Sequence, residues 1–140
     1  MAKTIFISFD YDNDRNYRYL LKALKENKQS AINFDDATPE EIQSNDVGVI
    51  KGALTKKIKS ATHTLVIVGK HANSYHPKRE EIGERNWQWW EIKKSIAEKK
   101  ALIAVKIEPS NSSPDPLLNA NATWAMSYNV DAINKAIQEA

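Results

Sequence analysis

The chain has 140 residues, the length of one domain, and residues 1–140 are expected to form a single unit. Hydrophobic residues make up 41% and charged residues 27% of the chain, a composition typical of a folded globular domain and not of a disordered or membrane-spanning one. Twenty Lys and Arg against 18 Asp and Glu leave a net charge of +2, too small to bind a polyanion by counterion release, and the absence of cysteine excludes disulfides, thiolate metal sites and cysteine nucleophiles.

The N-terminal third predicts a strand, a helix and a second strand. Residues 4–9 are a β-branched and aromatic run, too short for the apolar core of a secretory signal, so a cytoplasmic protein is expected. A helix is predicted next from N-cap candidates at residues 12–14 and from apolar residues at helical spacing over residues 17–24. Residues 31–34 predict the second strand, and the polar segment 35–46 is long enough to be a functional loop.

The rest of the chain continues this alternation. A helix is predicted from Val47, and the near-continuous apolar run 64–69 is typical of a strand covered on both faces. After a predicted loop at 70–85, Asn86 can cap a helix, and residues 101–107 predict another buried strand. Residues 123–128 predict a short edge strand, and residues 130–137 predict an amphipathic helix. Alternating strands and helices predict an α/β fold with a parallel sheet between two helical layers.

Ligands of such sheets bind beyond the carboxyl ends of the strands. That edge should carry residues 8–11, 35–36 and 69–71. No glycine-rich dinucleotide or phosphate-binding motif follows any predicted strand. The third strand ends in Val68-Gly69-Lys70 without the aspartate of a phosphoacceptor receiver domain, so that class is disfavoured.

The strongest local signal is a tryptophan cluster at the start of the helix after Asn86, where three of the four tryptophans lie at positions 87, 89 and 90. Helical spacing predicts that Trp89, Ile92 and Ile96 face the core and that Trp87 shares another face with Glu91. Two interpretations of Glu91 stay open on spacing alone. The carboxylate either lies in a partly desolvated pocket wall or is solvated and paired with Lys94.

Residues 4–9, the polar loop after the second strand, and Trp87-x-x-Trp90-Glu91-Ile92 followed by Ser95-Ile96 and the strand at 101–107 resemble a TIR domain. More narrowly, they resemble the bacterial TIR-like family that produces the signal in Thoeris antiphage systems. The similarity covers roughly residues 3–107. It implies a flavodoxin-like three-layer fold with strand order 2-1-3-4-5.

The resemblance also implies an activity, cleavage of the nicotinamide–ribose bond of NAD, with Glu91 at the position of the family's catalytic glutamate. Transfer of the ADP-ribosyl group to water gives ADP-ribose, and transfer back onto itself gives a cyclic nucleotide. The expected partners are NAD as substrate, a downstream effector that senses the product, and further copies of the chain, with no cofactor, nucleic acid or membrane. The segment 71–85 departs from the family pattern.

Further substrate-binding candidates follow from position at the sheet edge and from the resemblance. They are Ser8, Phe9, Asp10, Tyr11, Asp36, His71 and Trp87. Asp10 could equally end its strand, and Asp36 could be an ordinary turn residue. His71 and His76 lie in a predicted loop without further ligands, so no metal site is expected. The alternatives to an NAD-cleaving enzyme are a non-catalytic TIR scaffold and a nucleoside deoxyribosyltransferase-like enzyme.

Overall fold

A computed structural model describes residues 3–10, 32–35 and 45–140 of the protein. In this part of the chain the strands are β1 (Lys3–Ser8), β2 (Ile32–Asp35), β3 (His63–Val68), β4 (Ala101–Lys106) and β5 (Thr123–Ala125). The helices are α1 (Val47–Ser60), α2 (Arg79–Ile82), α3 (Trp87–Ala97) and α4 (Val130–Glu139), with a 3-10 turn at Asp115–Leu117. None of the helices in these ranges is both long and apolar enough to cross a membrane.

The five strands form one parallel sheet in the order β2-β1-β3-β4-β5. The α/β class and the strand order implied by the resemblance are confirmed. β1 is paired with β2 on one side and with β3 on the other, so the strand order changes direction between β1 and β3. Crevices at such a reversal are where open α/β sheets bind ligands.

Alternation along the strands builds two separate cores, because successive side chains of a strand point to opposite faces. Ile5, Ile7 and Phe9 belong to a cluster that packs against α4. Phe6 lies on the opposite face in a cluster with Ile50, Leu54 and Ile58 of α1. Val66, Val68 and Ala104 pack on that same face with Ile92 of α3. Ser8 lies two residues after Phe6 in β1, and Thr64 lies two residues before Val66 in β3. Both side chains therefore point to the same face of the sheet, toward α1 and α3.

Two predicted regions differ from the structure. The segment predicted as a loop at 70–85 contains the four-residue helix α2, which ends at Gly83 in a left-handed conformation (φ 83°) that glycine adopts at low cost. The edge strand β5 covers only Thr123–Ala125, the residues that pair with β4, and the exposed Met126 and Ser127 lie beyond it. The predicted first helix (12–27) and most of the polar segment 35–46 lie outside the described residues.

Candidate active site

The site is organised by the first two turns of α3. Asn86 caps this helix because its Oδ1 accepts a hydrogen bond from the Trp89 backbone N at 2.9 Å. The same side chain donates through Nδ2 to the carbonyl oxygens of Ala72, at 3.0 Å, and Ser74, at 2.8 Å. Asn86 therefore fixes both the start of α3 and the loop that leaves β3.

One face of α3 is buried against the sheet, and it carries an unusual number of polar side chains. Its residues follow the i, i+3, i+4, i+7 spacing of an inward helical face. They are Gln88, Glu91, Ile92 and Ser95. Three of the four can hydrogen-bond, and a buried polar group needs a partner to offset its lost hydration.

Glu91 is 2% exposed, and its Oε1 accepts a hydrogen bond from Ser8 Oγ at 2.7 Å. Ser8, at the carboxyl end of β1, is itself fully buried. The interpretation of Glu91 as a solvated carboxylate paired with Lys94 is wrong, because this face of α3 turns the side chain toward the sheet. A carboxylate in this position is desolvated and held in one orientation by a hydroxyl donor.

Gln88 joins the same site to the neighbouring strand. Its side chain is 4% exposed, and Nε2 donates to the Ser8 carbonyl oxygen at 3.1 Å and to the Ile67 carbonyl oxygen at 2.7 Å. The β1–β3 ladder ends at the pair Ser8 and Val66, so the carboxamide bridges the two strands just where their own pairing stops. This is the point at which the strand order reverses.

A second buried network supports the backbone of Glu91. Ser95 Oγ donates to the Glu91 carbonyl oxygen at 2.8 Å and lies 2.8 Å from Thr64 Oγ1. Since the Ser95 proton is used on that carbonyl, Thr64 is the donor to Ser95. Both hydroxyls are fully buried, so β3 holds this turn of α3 through side chains as well as by packing.

The predicted faces of α3 are right for Ile92, which is buried, and wrong for the tryptophans and Ile96. Trp87 is 8% exposed and packs in the α1-side core, with the Trp90 ring at 5.8 Å in an edge-to-face arrangement, whereas Ile96 is 42% exposed. Trp89 is half-buried, donates from Nε1 to Asn73 Oδ1 at 2.9 Å, and lies under the Arg85 guanidinium at 4.7 Å. α1 covers the Trp87 side of α3, and spacing within α3 alone cannot show which side its neighbour covers.

The other predicted site residues lie on the opposite face of the sheet, after a strand, or outside the described ranges. The Phe9 ring lies in the core on the α4 face, opposite to the face that carries Ser8 and Glu91, so it has a packing role and its contact with a substrate stays a prediction. Asp10 follows β1 and is half-buried, and His71 follows β3 and is exposed. Tyr11 and Asp36 lie outside the described residues.

Sequence reasoning missed Gln88, Ser95 and Thr64. The signal available was their position, since Gln88 and Ser95 flank Glu91 at i−3 and i+4 and therefore share its helical face. The arrangement can act through a single carboxylate that is shielded from water and oriented by a hydroxyl. Such a group stabilises positive charge that develops on a bound substrate, because electrostatic interactions strengthen where water is excluded.

The sequence matches the family described as Thoeris protein ThsB, TIR-like domain, over residues 6–112. No curated protein sequence matches the chain.

The solved structures with a similar fold include two deoxyribosyltransferases and a SEFIR domain. A 2-deoxyribosyltransferase from the psychrotolerant bacterium Bacillus psychrosaccharolyticus is 16% identical with a TM-score of 0.58 and covers 94% of this chain and 90% of its own. A 2-desoxiribosyltransferase from Leishmania mexicana is 15% identical with a TM-score of 0.59, and the match covers 98% of this chain and 97% of the transferase. A prokaryotic SEFIR domain is 19% identical with a TM-score of 0.59, and the match covers 98% of this chain and 94% of the SEFIR domain. At these identities the likeness concerns the fold alone.

Proposed function

The chain belongs to the family of the Thoeris protein ThsB, TIR-like domain, and on this premise we propose that it cleaves the nicotinamide–ribose bond of NAD and forms an ADP-ribose-derived signal nucleotide in bacterial antiphage defence. Glu91 is the catalytic carboxylate of this proposal. The observation that carries it is the burial of Glu91 at the carboxyl edge of the sheet, with its Oε1 held by Ser8 Oγ at 2.7 Å.

The chemistry suits a single carboxylate. When the N-glycosidic bond breaks, the bonding electron pair leaves with nicotinamide, which departs as a neutral molecule, and the ribose carbon becomes oxocarbenium-like. A carboxylate beside that carbon stabilises the positive charge or traps it. Attack by water then gives ADP-ribose and a proton, and attack by an atom of the same nucleotide gives a cyclic product.

The hydrogen bond from Ser8 favours this role of Glu91. It fixes the carboxylate before the substrate arrives, so that little reorganisation is needed as charge develops. The buried Thr64 and Ser95 hydroxyls hold the backbone of the same turn. The predicted effector that senses the product and the predicted cytoplasmic setting belong to this proposal.

A second candidate is a nucleoside deoxyribosyltransferase-like enzyme, favoured by the fold of the two deoxyribosyltransferases described above. It uses the same type of bond cleavage on a different sugar. The two candidates differ in whether the substrate is NAD or a deoxynucleoside together with a free acceptor base.

The test is incubation of the purified chain with NAD, and separately with deoxyadenosine plus a second free base, followed by chromatography of the products. Nicotinamide together with ADP-ribose or a cyclic isomer supports the proposal. Exchange of bases supports the second candidate. The absence of turnover of either substrate over a wide range of protein concentration leaves a non-catalytic TIR scaffold.

A further inference from the structure

The carboxamide of Gln88 occupies the strand reversal at which the site is built, and its orientation is determined by its neighbours. Both groups within hydrogen-bonding distance of Nε2 are carbonyl oxygens, those of Ser8 and Ile67, so the NH2 half must face them. Oε1 is buried and has no hydrogen-bond donor among residues 3–10, 32–35 and 45–140. The side chain is therefore held by its donor half alone.

Gln88 and Glu91 meet at the same residue. The Ser8 carbonyl oxygen accepts from Gln88 at 3.1 Å, and the Ser8 hydroxyl donates to Glu91 at 2.7 Å. Gln88 also ties Ser8 to β3 through Ile67, beyond the last residue pair of the β1–β3 ladder. Without this bridge the end of β1 has one fewer attachment on the side where Ser8 must present its hydroxyl.

We propose that Gln88 is a positioning residue of the candidate active site, which fixes Ser8 so that the Ser8 hydroxyl orients the Glu91 carboxylate. Gln88 itself need not touch the substrate. A residue that served only to fill the core would require no donors at this point, whereas Gln88 supplies donors to two carbonyl oxygens where the β1–β3 ladder stops.

The kinetic part of this inference rests on the proposed function, whereas its spectroscopic part does not. The probe is the side-chain carboxyl carbon of Glu91, observed by 13C NMR at a single neutral pH and assigned by its loss in Glu91→Gln. Removal of the hydroxyl donor in Ser8→Ala should shift this resonance, because Ser8 Oγ donates to Glu91 Oε1. We expect Gln88→Met, which keeps length and removes both donors, to shift it in the same direction.

The double variant Ser8→Ala/Gln88→Met distinguishes positioning through Ser8 from an independent effect. Because Gln88 acts through Ser8, the double variant is expected to show the shift of Ser8→Ala alone, with no further change. Additive shifts, or an unshifted resonance in a folded Gln88→Met protein, would overturn the proposal. If Gln88→Met does not fold, Gln88→Asn gives the same comparison. Its side chain is one methylene shorter, which withdraws the carboxamide from the Ser8 and Ile67 carbonyl oxygens.

Asn111→Ala is the matched control. It removes a carboxamide that donates to the Val68 carbonyl oxygen at 3.1 Å, one residue beyond Ile67 in β3, and leaves the contacts of Ser8 and Gln88 in place. It should leave the Glu91 resonance unshifted. A shift as large as that of Gln88→Met would show that the loss of any carboxamide donor to the end of β3 suffices, and would overturn the specific role of Gln88.

With NAD as substrate, Gln88→Met should lower kcat about 10- to 100-fold, the range for losing a hydrogen bond to a charged group, because it misplaces the Ser8 hydroxyl that donates to the Glu91 carboxylate. It should change KM by less than about threefold. A change confined to KM would contradict positioning of the carboxylate. If the wild-type chain does not turn over NAD, the proposed function fails, and the NMR comparison still decides the role of Gln88.

Discussion

Replacing Trp87 and Trp89 separately by alanine tests the helix phase that the structure assigns to α3. Trp87 is 8% exposed and fills the space between α3, α1 and the sheet, in a cluster with Phe6, Leu54 and Ile58. Removing a buried aromatic of this size leaves a cavity that the surrounding helices cannot fully close. Trp87→Ala should therefore lower the free energy of unfolding by roughly 3–5 kcal/mol.

Trp89→Ala should lower the free energy of unfolding less than Trp87→Ala. It is half-buried and makes two specific contacts, the hydrogen bond to Asn73 at 2.9 Å and the stacking of Arg85 at 4.7 Å. Contacts of these two types contribute about 0.5–1.5 and 0.5–1 kcal/mol respectively, so Trp89→Ala should cost roughly 1–2.5 kcal/mol.

Urea denaturation followed by circular dichroism measures both variants against the wild type. With a slope of about 2 kcal/mol per molar urea, the midpoint should fall by ~1.5–2.5 M for Trp87→Ala and by ~0.5–1.2 M for Trp89→Ala, with similar slopes. Ile96→Ala, at a position 42% exposed on the same helix, is the control and should change the midpoint least. A larger loss for Trp89→Ala than for Trp87→Ala would refute the assignment of faces.

Three further outcomes are expected. Burial, and secondarily the charge of Lys3, hold the pKa of His63 below its ordinary value of 6.5 despite a hydrogen bond to the Ala140 carbonyl, so the folded state favours the neutral ring. The stabilisation from His63 is therefore complete above pH 6.5 and lost as the pH falls through the lowered pKa, and His63→Gln should flatten this acidic part of the stability curve measured by thermal melts. Asn86→Ala removes the cap of α3 and two ties to the preceding loop, so it should cost at least about 1 kcal/mol in the same melts, and an unchanged midpoint would contradict the capping role. If the polar segment 35–46 helps to complete the site between copies of the chain, specific activity should rise with protein concentration as light scattering detects assembly, and flat, high activity in a monomer would exclude this.

The sheet could be predicted because its strands are apolar for a reason visible in sequence. The run around Leu65 and Ile67 is buried on both faces, which requires nearly every residue to be apolar, and the structure places β3 at the centre of the sheet. Asn86 was identified as a helix cap because a side-chain acceptor before a helical pattern has one common use. The strand order came from the family resemblance, since periodicity does not specify which strands are neighbours.

The site was harder to predict because its key side chains have other common uses. A helical glutamate or glutamine is usually exposed, and the residues next to Glu91 and Gln88 in the sequence do not indicate that these two side chains are buried. Both contact Ser8, which lies 80 positions before Gln88 and 83 positions before Glu91 in the chain. The face of α3 that each tryptophan occupies likewise depends on α1, which covers the Trp87 side.

The most direct test of the account is NAD turnover by Glu91→Gln compared with the wild-type chain, with nicotinamide release as the measure of rate and the thermal midpoint as the measure of folding. Glutamine keeps the volume of Glu91 and an oxygen that accepts from Ser8, so the midpoint should remain close to that of the wild type. Loss of the charge that stabilises the oxocarbenium-like state should lower the rate by about 10²–10³. A folded Glu91→Gln protein that releases nicotinamide at the wild-type rate would contradict the assignment of Glu91 as the catalytic carboxylate.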